Sequence, residues 1–213
     1  MDEEISIINN ETKKEKVLNF FKNNKKKLFL LLIILILIPF SIFSYQIIKD
    51  KNKDKLSSKF NLAVSSYENG NKSEIKSIMK EIISNKDKTY SPLALYFLID
   101  NDIQLTNEEV NNYFDIIINE INLDKEIKNL NIYKKGLFNS SFVSENELLL
   151  ILKPVINSDS LWKPHALILL GEYFLDKNQN QKAKEFFNQI LNIENTNEQL
   201  KIEAKKRLIN IGE

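Results

Sequence analysis

Hydrophobic and polar residues follow two different patterns along this chain. Between Lys27 and Lys49, 21 residues carry no formal charge, and 16 of them are Leu, Ile or Phe. From Leu56 onward, apolar residues instead recur at i, i+3 and i+4, which is the spacing of amphipathic helices. No alternating strand pattern of any length occurs. The pattern predicts an all-α fold, with one continuously apolar helix followed by many amphipathic ones.

The apolar run, residues 28–48, is long enough to cross a membrane. At 1.5 Å per residue it forms a helix of roughly 30 Å, about the thickness of the hydrocarbon core of a bilayer. A cleaved signal peptide has a shorter apolar region that ends in a small-x-small site, and Ser41–Ser44 offers no convincing one. The run could instead be the core helix of a soluble protein, but a helix that is apolar on every side would need a much larger protein around it. We therefore expect an uncleaved transmembrane signal anchor.

Lysines on the two sides of this run indicate its orientation. Cytoplasmic flanks carry an excess of Lys and Arg. Five lysines follow the run closely, from Lys49 to Lys59, and seven precede it: Lys13, Lys14, Lys16, Lys22, Lys25, Lys26 and Lys27. This slight bias predicts a single-pass type II protein, with the basic leader 1–27 in the cytoplasm and residues 56–213 outside it.

Residues 49–55, with the sequence KDKNKDK, are predicted to be a charged, solvated and extended linker. The remaining residues, 56–213, are enough for one core. Helix starts recur in them, marked by an N-cap residue followed three positions later by Glu or Gln. These pairs are Asn71 with Glu74, Thr106 with Glu109, Ser144 with Glu147, and Thr196 with Gln199. Ser91-Pro92 and Lys163-Pro164 suggest two further starts.

A repeat of two helices runs through residues 56–213. The second helix of each unit carries apolar residues at i, i+4 and i+7, and successive triplets are offset by 35, 38 and 35 residues. The triplets are Ile75, Met79, Ile82; Val110, Phe114, Ile117; Leu148, Leu152, Val155; and Ala183, Phe187, Ile190. The first helices follow this period less tightly. Leu62 and Ala63 correspond to Leu170 and Gly171, and Gly136 also corresponds to Gly171. A period near 34–38 is typical of tetratricopeptide (TPR) repeats.

The fourth unit, HALILLGEYFLDKNQNQKAKEFFNQILNI, resembles a TPR motif most closely. Its motif residues are Leu170, Gly171, Phe174, Ala183 and Phe187. Small residues at 171 and 183 allow the two helices to approach closely. The turn Lys177–Asn180 stands where the family has a Gly-Asp type turn, and Asn tolerates the left-handed conformation there. We expect a TPR-like α-solenoid of about four hairpins plus a C-terminal capping helix from Glu198 to Ile211.

The layout of leader, single anchor and degenerate hairpins resembles one bacterial family, the TPR-like ancillary subunit of the SecYEG translocon. Residues 160–191 and 89–101 carry most of this likeness. The resemblance implies a protein of the inner membrane with a periplasmic TPR-like domain. It also implies partners among translocon subunits, a periplasmic chaperone and exported client chains, with a role in protein translocation or folding. An envelope-assembly or cell-division adaptor is the alternative.

Candidate chemistry is sparse in this sequence. Without cysteine there are no disulfides, thiol catalysis or thiolate metal sites, and the four glycines are scattered singly. The single histidine, His165, has no nucleophile or orienting acid in a motif near it, and is interpreted as a surface or half-buried residue. We expect no enzyme activity, cofactor or metal. A net charge of +1 argues against nucleic acid as a partner, and the sequence leaves the oligomeric state open.

Overall fold

The computed structural model describes residues 15–16, 18–67, 72–194 and 196–212. The chain divides into two compact units after Lys55, and each unit is described here by itself. Every regular element among the described residues is an α-helix, and these residues contain no strand. The predicted all-α class is confirmed.

Helix α1, Lys25–Ser65, is the apolar helix predicted from the sequence. It is the only helix in the described part of the chain that is long and apolar enough, by length and composition, to cross a membrane. None of its most apolar 18-residue window is buried within the protein. Pro39 lies inside the helix, and the Ser41 hydroxyl donates a 2.8 Å hydrogen bond to the carbonyl oxygen of Leu37.

The prediction of an extended linker at residues 49–55 is wrong. All seven residues lie within helix α1, which ends only at Ser65. No Gly or Pro interrupts the segment, and Asp50 with Lys53, like Lys51 with Asp54, places opposite charges three residues apart, a spacing that supports a helix. Lys51, Lys53 and Lys55 are exposed, so the segment is solvated as expected.

Among the described residues, the second unit begins with the last part of α1 and continues through eight shorter helices. Each helix from α2 onward lies against the next one along the chain, and α7 also contacts both α5 and α9. The helices are α2 (Lys72–Ser84), α3 (Tyr90–Asp100), α4 (Asn107–Glu120), α5 (Lys125–Asn139), α6 (Glu145–Ile156), α7 (Lys163–Asp176), α8 (Asn180–Leu191) and α9 (Glu198–Gly212). Helix α9 agrees with the helix predicted from Glu198 to Ile211.

The four apolar triplets form the centre of the core. All twelve residues are buried, none with more than 3% of its surface exposed. They lie on α2, α4, α6 and α8, so the second helix of every predicted pair turns the predicted face inward. The correspondence for the first helices holds only in part, because Ala63 is buried whereas Leu62 is 67% exposed.

Two of the predicted helix starts are reciprocal capping boxes. Thr106 accepts a hydrogen bond from the amide of Glu109, whose carboxylate accepts one from the Thr106 amide, and Ser144 and Glu147 form the same pair. The start at Lys163-Pro164 is also confirmed, with Pro in the first turn of α7. Asn71 lies outside the described residues.

Two other predicted starts need correction. Helix α3 begins at Tyr90 rather than after Ser91, because the Asp87 carboxylate accepts hydrogen bonds from the amides of Thr89 and Tyr90, each at 2.8 Å. Thr196 does not cap α9. The Asn197 side chain takes that role and accepts a 2.8 Å hydrogen bond from the Gln199 amide.

Helices α3 and α7 end in the same type of turn. Asn178, just after α7, has a left-handed φ of 56°, and the Gln179 amide donates to the Phe174 carbonyl at 2.8 Å. Asp102, just after α3, has a φ of 48°, and the Ile103 amide donates to the Leu98 carbonyl at 3.0 Å. This six-to-one hydrogen bond is that of a Schellman motif. The left-handed conformation expected for the Lys177–Asn180 turn is therefore present.

Candidate interaction surface

The five residues predicted from the TPR motif lie together in the core of the α7–α8 pair. Leu170, Gly171, Phe174, Ala183 and Phe187 are all buried. A Cβ atom built at Gly171 would lie 2.5 Å from two ring atoms of Phe187, so α7 approaches the ring as closely as only glycine permits. The predicted residues therefore hold two helices together, and they offer no surface to a partner.

The same relationship recurs one unit earlier. A Cβ atom built at Gly136 on α5 would lie 2.9 Å from Cγ of Leu152 on α6. Both residues stand 35 positions before their counterparts Gly171 and Phe187. The correspondence of Gly136 with Gly171 that was predicted from the sequence is thus matched by equivalent packing.

Polar contacts between helices repeat with the same period. The Tyr96 hydroxyl on α3 donates to the side-chain carbonyl of Asn131 on α5 at 2.8 Å, 35 residues away. The Ser160 hydroxyl, just before α7, donates to Glu126 on α5 at 2.7 Å, 34 residues away. Three ion pairs have the same separation of 34 or 35 residues: Lys86 with Glu120, Lys125 with Asp159, and Glu172 with Arg207.

Glutamates at the first turns of α4 and α6 also join neighbouring units. The Lys80 ammonium donates to Glu109 at 2.5 Å, and this contact, aided by the Thr106 amide, lowers the pKa of Glu109 from its ordinary 4.5 to about 2. The same contact raises the pKa of Lys80. On α6, Lys182 donates to Glu145 at 2.6 Å and lowers the pKa of that carboxyl.

Three large aliphatic side chains remain exposed at regular intervals on this unit. Leu93, Ile127 and Leu161 are 41%, 44% and 75% exposed, and consecutive members are 34 residues apart. We call these three residues the apolar row. Motif comparison missed the row because its members are not TPR consensus positions, although the 34-residue spacing can be read directly from the sequence.

Leu93 and Ile127 share a cleft of about 390 Å³ between α3 and α5. Half of its other lining residues are apolar or aromatic, and half are polar. The first group is Pro92, Tyr96, Leu123 and Leu130, and the second is Lys88, Thr89, Asp124 and Asn131. The Lys134 ammonium lies 4.1 Å from the centre of the Tyr96 ring, and burial raises the pKa of that tyrosine, aided by the charge of Asp100. The cleft therefore offers apolar contacts with charges at its margin.

Leu161 lines a larger cleft of about 1090 Å³ beside the starts of α7 and α9. The polar residues Asn192, Asn197 and Gln199 line it as well. The amide of Leu161 donates to Glu126 at 3.0 Å, which ties the third member of the row to α5, the helix that carries Ile127. The row is thus divided between two clefts, one lined by Leu93 and Ile127 and the other by Leu161.

His165 and Trp162 pack onto α5. The Trp162 ring stacks on Tyr133 with centroids 5.7 Å apart, and the His165 ring lies 5.2 Å from that of Trp162. Both residues are half-buried, as the sequence analysis expected for His165. The Nδ1 atom of His165 is buried and has no hydrogen-bond partner among the described residues, as is also true of Oγ1 of Thr196 in the same cleft wall.

The described part of the chain contains no group of three or more His, Asp or Glu side chains that could hold a metal ion. His165 contacts aromatic rings, not a nucleophile and an acid. The arrangement provides apolar and hydrogen-bonding surface, which is the chemistry of protein or peptide recognition.

No protein-family model matches the chain, and no curated protein and no solved structure matches it either.

Proposed function

We propose that this protein is a membrane-anchored helical-repeat scaffold that holds an interaction surface next to the protein-translocation machinery of a bacterial inner membrane. In this proposal residues 28–48 span the bilayer, the leader is cytoplasmic, and residues 56–213 form a periplasmic TPR-like solenoid of four hairpins with α9 as its cap. The proposed role is to assist the passage or folding of exported chains, as in the ancillary SecYEG subunits that the sequence resembles.

The apolar row is the observation that carries this proposal. Three aliphatic side chains, Leu93, Ile127 and Leu161, are exposed at 34-residue intervals on a unit whose other apolar triplets are buried. Exposed apolar surface that forms a patch or a groove is typical of protein-binding sites, and Leu93 and Ile127 share one cleft. The polar contacts at separations of 34 or 35 residues support stacking of equivalent units, which is how TPR-like arrays are stabilised.

A membrane anchor would raise the effective concentration of such a surface near its partners. An anchored surface meets partners in the same membrane at a high effective concentration, so even weak apolar contacts suffice for repeated capture and release. Chains that emerge from a translocon expose apolar segments before they fold. An aliphatic row with charged groups at its margin, such as Lys88 and Asp124, suits these segments.

Site-specific photocrosslinking in intact cells tests the proposal. A photoreactive amino acid is placed at Leu93, Ile127 or Leu161, and at Leu150 as the matched control. Leu150 is 66% exposed but lies on α6, outside the row. We expect adducts with translocon subunits and exported chains from the row positions and several-fold fewer from Leu150. Adducts with wall-synthesis or division proteins instead would support the alternative adaptor function.

The proposed orientation has its own test. Protease added to spheroplasts is expected to degrade residues 56–213 and to leave the leader protected. Protection of residues 56–213 would place that unit in the cytoplasm and remove the periplasmic role, whatever the crosslinks.

A further inference from the structure

The segment before the apolar run carries lysines and aromatic residues that belong neither to the proposed membrane span nor to residues 56–213. Residues 18–27, with the sequence LNFFKNNKKK, carry four lysines and no acidic residue. We call these residues the basic–aromatic segment. Leu18, Phe20 and Phe21 are 60%, 58% and 55% exposed, and the two rings meet edge to face with centroids 6.1 Å apart.

The lysines of this segment have no acidic partner among the described residues. Lys22, Lys25, Lys26 and Lys27 are exposed, and none forms an ion pair there. In the second unit, by contrast, Lys80, Lys135 and Lys182 each contact a carboxylate. Four exposed lysines within ten residues, with no acidic residue between them, concentrate positive charge near the start of α1.

One turn residue, Asn24, stands between the helical stretch that contains residues 18–23 and helix α1, which begins at Lys25. The Asn24 amide donates to the carbonyl oxygen of Phe20 at 3.0 Å, four residues back as within an α-helix, and its side-chain Nδ2 donates to the same oxygen at 3.0 Å. Leu18, Phe20 and Phe21, the apolar trio of the segment, therefore lie just before the helix that carries the apolar run.

We propose that the basic–aromatic segment docks on the anionic lipid surface of the membrane that α1 crosses. Aromatic rings favour the interface between headgroups and hydrocarbon, and lysines beside a span are attracted to anionic headgroups. Leu18, Phe20 and Phe21 insert at the level of the acyl boundary, while the four lysines contact phosphate and other anionic groups. This inference rests on the membrane span of the proposed function, but not on its translocon role.

An introduced cysteine tests the docking, because the natural sequence has none and a single site can be labelled. The full chain with Asn23→Cys, carrying an environment-sensitive fluorophore, is reconstituted into vesicles of phosphatidylcholine alone or with one third phosphatidylglycerol. Asn23 is exposed and belongs to neither the apolar trio nor the lysine set. We expect a blue-shifted emission and protection from an aqueous quencher in the anionic vesicles only.

Matched lysine variants test whether the positive charge of the segment causes the docking. A lysine near an anionic surface contributes about fivefold to association. Lys22→Gln, Lys25→Gln and Lys26→Gln together are therefore expected to reduce the ratio of protected to exposed label about a hundredfold. Lys51→Gln, Lys53→Gln and Lys55→Gln remove the same charge from the other end of the apolar run and should leave the ratio unchanged. Phe20→Ser with Phe21→Ser should remove the blue shift.

The outcomes separate this inference from the proposed function. A chain that alkaline carbonate extracts from the vesicles has no stable span, and the anchor itself is then wrong. A chain that stays inserted, while its label is equally exposed in neutral and anionic vesicles, overturns the docking alone. Protection by added RNA without anionic lipid would also overturn it, because the segment would then bind nucleic acid.

Discussion

Gly171 lies directly against the ring of Phe187, and no side chain larger than hydrogen fits at that position. A Cβ atom there would stand 2.5 Å from Cε1 and Cζ of the ring, and Phe187 itself is fully buried. The α7–α8 pair is therefore packed through a glycine–aromatic contact, which explains why a small residue is required here.

We predict that Gly171→Ala destabilises the protein in spite of the better helix propensity of alanine. Overpacking of a buried site costs about 1–3 kcal/mol, which exceeds the gain of about 1 kcal/mol from replacing a helical glycine. Thermal unfolding of the full chain in detergent, followed by circular dichroism at 222 nm, measures the change.

Gly212→Ala is the matched control, because a Cβ atom at Gly212 meets nothing within 4 Å. Its free energy of unfolding should change by less than about 0.5 kcal/mol. Phe187→Leu added to Gly171→Ala should recover part of the loss. A Gly171→Ala protein as stable as the parent would contradict the close packing of α7 on α8.

The reciprocal amide pair of Asn111 and Asn139 predicts a strong penalty for breaking it from one side. Each side-chain amide donates to the other, at 2.9 and 2.8 Å, and joins α4 to α5. Asn139 is 1% exposed. Asn111→Ala leaves the buried side-chain carbonyl of Asn139 without its partner, while Nδ2 keeps its bond to the Lys135 carbonyl, and the loss costs about 1–3 kcal/mol.

A double-mutant cycle measures this coupling by chemical denaturation. Asn111→Leu with Asn139→Leu removes both amides, so the double variant should lose less free energy of unfolding than the sum of the two single variants. Strict additivity would show that the two amides do not depend on each other.

Asp102 offers a stabilising substitution. Its φ of 48° is left-handed, and its carboxylate stands at the C-terminal end of α3, where the helix dipole disfavours negative charge. Asp102→Gly removes both penalties, and we expect a gain of about 0.5–1 kcal/mol in the free energy of unfolding.

Asp102→Asn separates the two causes, because it removes the charge and keeps a residue that tolerates the left-handed region. It should therefore give a smaller gain than Asp102→Gly. Asp102→Val should lower stability, since a β-branched residue is strained at this φ. The midpoint of urea unfolding, compared at constant slope, reports all three.

The ion pair of Lys80 with Glu109 predicts how the stability of the fold changes at acid pH. The folded-state pKa of Glu109, about 2, lies below its ordinary value of 4.5. The contact therefore stabilises the fold fully above about pH 4.5, and the contribution is lost as the pH falls toward 2. Carboxyl chemical shifts in a nuclear magnetic resonance titration measure this pKa directly.

Lys80→Gln should move the pKa of Glu109 back toward 4.5, because Lys80 is the largest cause of the shift. Glu147 is the internal reference. Its pKa is also lowered, but by Ser144 rather than by a lysine, and it should not change in this variant. A Glu109 pKa that is unaffected by the substitution would mean that the ion pair does not persist in solution.

Local patterns along the chain predicted much of the architecture correctly. The four apolar triplets, two capping boxes and the left-handed turn at Asn178 were all identified from spacing and residue type. Each depends on residues within one or two helical turns, where steric and hydrogen-bonding preferences act directly.

Contacts between distant residues could not be predicted in this way. The Asn111–Asn139 pair depends on how α4 lies against α5. Thr196 looked like a cap by spacing, yet Asn197 takes that role because the chain enters α9 one residue later. The charge of residues 49–55 predicts an extended linker, but charged residues are solvated equally well on an exposed helix, which is what they form.

By itself, the sequence determined that the chain is helical, that one helix carries a continuous apolar run, and which face of α2, α4, α6 and α8 is buried. These properties follow from hydrophobic periodicity, which is written locally in the residues. Only the tertiary structure decided which aliphatic side chains stay exposed as the apolar row and which polar groups pair across helices. That outcome depends on the packing of whole helices, because a side chain is buried or exposed by its neighbours in space rather than by those in sequence.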